Sequence, residues 1–145
     1  MEVITPIAVR YAETDMMGVV YHANYLLYFE DARTDFLEKA GFPYASIEEA
    51  GYMCPIYAVD LQYGEPLRYG EDAFVATRVV ESRPTKTTYL QRVFREGDDP
   101  ATAKPLVSGH VTACMVERDT FRPVSIKRAM PELYAFYGGI VEPEA

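Results

Sequence analysis

The sequence specifies an α+β fold, a curved antiparallel sheet wrapped around one long central helix. Three features carry this expectation. A stretch beginning near residue 21 keeps apolar residues at helical spacing. The stretches that follow alternate with a period of two and are joined by short turns. The chain has 145 residues, 49% of them hydrophobic, enough to bury a packed core without help from a disulfide or a metal. No linker, low-complexity tract or internal repeat interrupts it, so a single domain over residues 1–145 is expected.

Taken in order, residues 3–12 (VITPIAVRYA) read as a first strand, and Pro6 places it at a sheet edge or a bulge. The helix follows. Tyr25, Phe29, Ala32, Phe36 and Ala40 share one face, while Glu30, Asp31, Thr34, Asp35, Glu38 and Lys39 fall mostly on the other. Leu26, Leu27, Tyr28 and Leu37 widen the apolar arc and predict a largely buried helix. Gly41 signals its C-cap, and Pro43 prevents continuation. Strands are expected over 53–66, 73–82, 87–96 and 105–118, with turns at 67–72 and Arg83–Lys86 and a loop at 97–104. In the last strand Val107, Gly109, Val111, Ala113 and Met115 point to one side. A short helix is expected after Pro131. Strands joined by such short turns pair antiparallel, and a mostly apolar helix needs a sheet to cover it on several sides. This is the hotdog layout. Its outer edges are left open, and two protomers can pair them into one continuous sheet.

Charge narrows the function. A net charge of −8 argues against a nucleic-acid partner, which needs clustered Lys and Arg. A few local cations can still hold an anionic ligand. The chain has 12 Tyr, 7 Phe and no Trp, and tyrosine suits pocket walls and interfaces. Cys54 and Cys114 are far apart, lack a CxxC pattern and sit among apolar residues, which reads as reduced core thiols. The opening MEVITPIAVRY has no basic segment and no long apolar run, and no stretch is long enough to span a membrane. A cytoplasmic location is expected. His22, His110, Cys54 and Cys114 show no metal-ligand spacing, so no metal site is expected.

The chemistry concentrates in YAETDMMGVVYHANYLLYFEDARTDFLEKAG, residues 11–41. Asp15 and Gly18, then Tyr21, His22 and Asn24, precede the helix. Read plainly, these are a loop acid and a helix cap. Read for function, a carboxylate is aimed at the anion-stabilising start of a helix. The run from Asp15 to Tyr25 resembles the D-x-x-G-[IV]-V-x-x-x-N-Y pattern of 4-hydroxybenzoyl-CoA thioesterase-like hotdog enzymes. GVVYHANY and the following Glu30-Asp31-Ala32-Arg33-Thr34, an E-x-A-R-T pattern, are similar to their acyl-CoA thioesterase branch, typified by the Tol–Pal-associated enzyme. Tyr63–Asp72 is similar to the family's turn between two strands. The likeness spans roughly residues 5–135. It implies a hotdog fold, a homodimer or homotetramer, and hydrolysis of acyl-CoA without a metal or cofactor, CoA being part of the substrate.

The residues suit that reaction. A thioester releases a thiol of pKa about 8.5, so its departure needs little acid help. What is required is an attacking oxygen and positive potential where the carbonyl oxygen gains charge. Asp15 can supply the first, as nucleophile or as general base for water. Unpaired N–H groups at the helix start can supply the second, and the resemblance points to the His22 N–H. Gly18 allows a close backbone approach or a positive φ. The His22 side chain can bond substrate or water, or only pack. Asn24 is a motif residue that an N-cap explains equally well. Tyr21 is expected on the acyl pocket, Tyr25 in the core, and His110 in a structural role. Arg83 and Lys86 are the expected contacts for the CoA phosphates, with Arg92 or Arg95 as additions. Two other readings are a hotdog acyl-CoA dehydratase or hydratase, and a non-catalytic acyl-CoA-binding oligomer.

Overall fold

Period-two alternation in the second half of the chain builds the sheet, and one helix fills it. A computed structural model describes residues 1–145. The elements are β1 (Val3–Ala8), α1 (Tyr25–Lys39), α2 (Tyr44–Glu49), β2 (Tyr52–Met53), β3 (Ile56–Tyr63), β4 (Asp72–Arg83), β5 (Lys86–Arg95), β6 (Val107–Cys114), β7 (Val116–Glu117), α3 (Ile126–Ala129) and α4 (Pro131–Ile140). Five strands form one antiparallel sheet in the order β1-β4-β5-β6-β3. Pro6 lies in β1, an edge strand, where its missing N–H is tolerated. A separate two-stranded ribbon pairs β2 with β7. No helix is long and apolar enough to cross a membrane.

All five strands contribute to the cluster around Tyr25, Tyr28, Phe29 and Ala32 of α1: Ile7, Val75, Val93, Val111 and, packed against them, Leu61 of β3. A second cluster joins Phe36 and Leu37 to Val79, Tyr89, Leu133 and Tyr137, so α4 closes the other end of the helix. The sheet therefore wraps α1. Phe29, Ala32 and Phe36 are fully buried, which follows from their helical spacing. Leu26 and Leu27 depart from the expected buried arc. They are 39% and 50% exposed, because they face away from the sheet, on a side that nothing else in the protomer covers.

Other boundaries move for local reasons. The first strand stops at Ala8, and Tyr11–Glu13 form a 3-10 turn. There the Glu13 carboxylate accepts from the Arg10 N–H at 2.7 Å and draws the chain out of the sheet. The stretch expected as one strand over 53–66 splits at Pro55, which has no N–H to give a ladder. The stretch over 105–118 splits at Met115, where the chain leaves the main sheet for the ribbon with β2. The short helices α2 and α3 were not legible as periodic segments. The terminal helix after Met130 forms as expected, with Pro131 in its first turn.

Gly109 on β6 shows how closely the layers approach. A Cβ there would lie 2.5 Å from the Asp60 carbonyl oxygen, 2.6 Å from Leu61 Cδ2 and 3.1 Å from Phe29 Cε2. On the opposite side of β6, His110 bridges two carboxylates, with Nδ1 3.1 Å from Asp60 and Nε2 2.6 Å from Glu144 of the C-terminal tail. Loss of solvent pulls the His110 pKa down, but the hydrogen bonds to Glu144 and Asp60 outweigh it, and the net shift is upward from 6.5.

Two outcomes are expected. Gly109→Ala forces strand or helix to move and lowers the unfolding free energy by about 1–3 kcal/mol, as overpacked cores do, measured by urea denaturation. Because the folded pKa of His110 is raised, its contribution to stability is full below about pH 6.5 and is lost as pH rises through the folded value. The stability advantage of wild type over His110→Gln should therefore shrink as pH increases from about 6 to about 8, read from unfolding curves at each pH.

Candidate active site

The start of α1 is held from three directions. The Val20 N–H donates to the Leu67 carbonyl at 2.8 Å, and the Tyr21 N–H donates to the Glu13 carbonyl at 2.9 Å. The Tyr63 hydroxyl, at the end of β3, donates to the His22 carbonyl at 2.9 Å. His22–Asn24 then form a 3-10 turn leading into α1, with the Asn24 N–H donating to the Tyr21 carbonyl. The N–H groups of His22 and Ala23 donate to no protein acceptor. These are the free donors that the start of any helix leaves over.

Asp15 is presented to this turn by a tight loop. Its N–H donates to the Val19 carbonyl and its carbonyl accepts from the Gly18 N–H, both at 2.9 Å. Gly18 has φ +76°, a region that glycine enters without Cβ strain. One carboxylate oxygen of Asp15 accepts from the Met17 N–H at 2.8 Å. The side chain is thereby oriented while half-buried. Asp15, His22, Tyr25, Tyr63 and Glu65 line one cavity of about 180 Å³. A larger cavity of about 300 Å³ lies elsewhere, between α1, β5 and the C-terminal helices. Of the two cavities, only the smaller is lined both by Asp15 and by a residue of the helix-start turn, His22.

The other expected site residues divide. The Tyr21 ring packs 4.4 Å from the His22 ring but does not line the Asp15 cavity. Asn24 stands at the N-cap position of α1, but its side chain makes no cap hydrogen bond and does not line that cavity. Its side-chain amide donates to the Glu13 carbonyl at 2.9 Å, because it already has helical backbone angles and so cannot fold back onto its own N–H groups. Tyr25, expected only as core, is buried and also lines the cavity. Its hydroxyl accepts from the Leu67 N–H at 3.3 Å, and burial raises its pKa. Glu13 went unnoticed in the sequence. It is buried and accepts from Arg10 N–H and the Tyr28 hydroxyl, and no local pattern distinguishes it from a solvated acid.

The expected phosphate contacts lie at the far end of the sheet. In β6, Val107 pairs with Tyr63 beside Asp15, whereas Lys86 pairs with Cys114 seven residues along. Within one protomer, Arg83 and Lys86 therefore do not meet Asp15. Arg83 is also occupied by Glu81 at 2.6 Å, and Lys86 Nζ sits 3.6 Å over the Tyr57 ring. Arg92 is paired with Glu2, and Arg95 with Glu65 and Glu71, which removes both as free cations. His22, His110 and the cysteines lie in three different places, so they do not converge on one centre. Cys54 and Cys114 are free thiols on the larger cavity, and burial pushes the Cys54 thiol up to about 12.

The family model described as the Thioesterase-like superfamily matches residues 9–133. The chain belongs to this superfamily. Within it, the chain is 35% identical over 131 residues to "Putative acyl-CoA thioesterase YneP" of Bacillus subtilis (strain 168), covering 90% of this chain and 91% of that one. It is 30% identical over 88 residues to "Acyl-CoA thioester hydrolase YbgC" of Escherichia coli O6:H1, covering 61% of this chain and 66% of that one. The solved DHNA-CoA thioesterase of Staphylococcus aureus superposes with a TM-score of 0.87 at 33% identity, covering 95% of this chain and 89% of that one. The hotdog architecture is thus common to this chain and to its superfamily relatives.

The positive φ of Gly18 gives it a testable structural weight. Gly18→Ala should cost about 1–2 kcal/mol, the strain of an L-residue in the left-handed region, seen as a lowered midpoint in urea unfolding. Nothing lies within 4 Å of the added Cβ, so backbone conformation alone accounts for the loss.

Proposed function

We propose that this protein hydrolyses acyl-CoA thioesters to a free carboxylate and CoA, with Asp15 as nucleophile or general base. The observation that carries the reading is the single cavity shared by Asp15 and His22, whose backbone N–H has no protein acceptor. A thioester carbonyl held there has its oxygen toward the helix-start amides and its carbon toward the carboxylate. Negative charge developing on that oxygen is met by the amides and by the positive end of the α1 dipole. If Asp15 attacks, an acyl-aspartyl anhydride forms as the CoA thiolate leaves, and water then cleaves the anhydride. If Asp15 acts as base, water adds directly and its proton passes to the carboxylate. Neither route calls for a metal or cofactor. The relatives named for acyl-CoA thioesterase activity support this reading. GVVYHANY and Glu30–Thr34 favour the branch typified by the Tol–Pal-associated enzyme.

The assembly we favour is a homodimer formed through β3, with a homotetramer as a further step. β3 is an unpaired edge exposed along nearly its whole length, and Ile56, Tyr57, Val59 and Tyr63 are uncovered. Such an edge invites strand pairing, and the exposed Leu26 and Leu27 add apolar surface. Antiparallel pairing of β3 with its copy sets the Ile56 end of one protomer against the Tyr63 end of the other. The partner subunit's Lys86 and Arg83 then approach this protomer's Asp15, where they can meet the CoA phosphates.

The test is an acyl-CoA panel with thiol detection, including aryl and medium-chain thioesters, on wild type and Asp15→Asn. Turnover should fall at least about a hundredfold, equivalent to some 2.7 kcal/mol of barrier, with the circular dichroism spectrum unchanged. Undiminished thiol release by Asp15→Asn would end the proposal.

A further inference from the structure

The E-x-A-R-T segment contains an arginine that the proposed chemistry does not use. Arg33 leaves α1 on its inner side and reaches across the sheet, where Nη1 donates to Gln91 Oε1 at 2.9 Å. That is its one hydrogen bond to protein, and no carboxylate lies within the 4.0 Å of an ion pair. Loss of solvent lowers its pKa, with Tyr89 and Glu30 only partly opposing. A guanidinium carries five N–H donors, so most of them are left without a protein acceptor. Arg33 lines the cavity of about 300 Å³ together with Glu30, which lies beyond ion-pair distance, and the wall is otherwise mainly apolar, with Leu37, Met115, Ile126 and Leu133. That volume is at the low end of the usual small-molecule range, about 300–1,000 Å³.

A second polar group on the same wall is independent of the first. Thr87 is 2% exposed, and its hydroxyl has no hydrogen-bond partner. A buried hydroxyl without a partner costs free energy that a bound acceptor or donor recovers. Thr87, Tyr89 and Gln91 alternate along β5, so they share its inner face. Tyr89, whose hydroxyl is taken by Tyr137 at 2.7 Å, stands between the two polar points.

We propose that this cavity is a binding site for a small amphipathic carboxylate, with Arg33 as its counter-ion, the apolar wall around its body and the Thr87 hydroxyl as a second polar contact. A half-buried cation that forms no ion pair within the protein is the complement of an anionic oxygen pair, which guanidinium binds in bidentate fashion. The ligand is a free carboxylic acid or the far-end carboxylate of an acyl group. Binding of a free acid does not depend on the hydrolase reading. The acyl-group alternative rests on it, and because the two cavities lie at opposite ends of one protomer the thioester would then be held at the partner subunit's Asp15.

Hexanoate and benzoate, against hexanamide and benzamide, are suitable probes for calorimetry on the intact protein. Methionine methyl NMR locates the binding, because Met115 lies on this cavity while Met16 and Met17 flank Asp15. The carboxylates should bind at least tenfold more tightly than the amides and shift Met115, leaving Met16 and Met17 in place. Arg33→Met should erase that preference. Since this variant also strips Gln91 of a partner, Thr87→Val is the second probe, which should weaken carboxylate binding with the fold retained. Equal affinity for the amides, a response at Met16 and Met17 instead, or unchanged affinity in both variants would overturn the site. A turnover preference for adipoyl-CoA over hexanoyl-CoA, lost in Arg33→Met, assigns the carboxylate to an acyl group. Binding of the free acids with no such preference assigns it to a free acid, and either result supports the site.

Discussion

Gln91 is the polar peg on which the helix–sheet union depends. It is 0% exposed at the centre of β5, beside the equally buried Thr77, in a core that is mostly apolar. Its amide nitrogen donates to the Phe29 carbonyl at 2.9 Å and to the Thr77 hydroxyl at 3.2 Å, and its oxygen accepts from Arg33. One side chain thus ties β4, β5 and two turns of α1 together. Hydrophobic burial drives the helix onto the sheet but does not by itself set the helix's position along its axis. Directional hydrogen bonds to a fixed strand position do. Gly109 completes the constraint from the neighbouring strand, since Phe29 can come that close only where no Cβ intervenes.

Fixing α1 along its axis fixes where it begins. The proposed reaction needs the free amides of His22 and Ala23 to stay in one place relative to the Asp15 loop. Tyr63, Leu67 and Glu13 clamp the turn from β3, from the segment before β4 and from the 3-10 turn after β1. Core packing and site geometry are therefore linked by the same helix: one end is held by Phe36, Tyr89 and Tyr137, and the other faces the cavity. The Asp15 loop needs little more than its own hydrogen bonds, because the chain around it closes with the bridge between Thr14 and Val20.

The two cavities sit toward opposite ends of the protomer and differ in character. The one beside Asp15 is walled by Tyr25, Tyr63 and Glu65 and offers backbone donors. The other is larger, lined mainly by apolar residues, and carries a guanidinium. β3 runs between these ends with its outer edge unpaired, so any antiparallel partner at that edge brings unlike ends together. The exposed apolar side chains of β3 and the uncovered Leu26 and Leu27 are apolar surface that this protomer leaves bare.

What the sequence determined by itself was local. Period two marked β4, β5 and β6, helical spacing marked Phe29, Ala32 and Phe36, and Pro6 marked an edge. The motif from Asp15 to Tyr25 placed an acid and a glycine ahead of a helix start, because such spacings express backbone geometry over a few residues. Tertiary structure alone decided which polar residues act together. Asn24, open in the sequence between a motif role and a cap, bonds the Glu13 carbonyl, and Arg83 and Lys86 lie at the far end of the sheet from Asp15. Arg33 became a half-buried cation facing a cavity, and Glu13 a buried acceptor. Those roles depend on contacts between residues distant in the chain, such as Arg33 with Gln91, and on which face an unpaired edge leaves open. No short-range pattern encodes either.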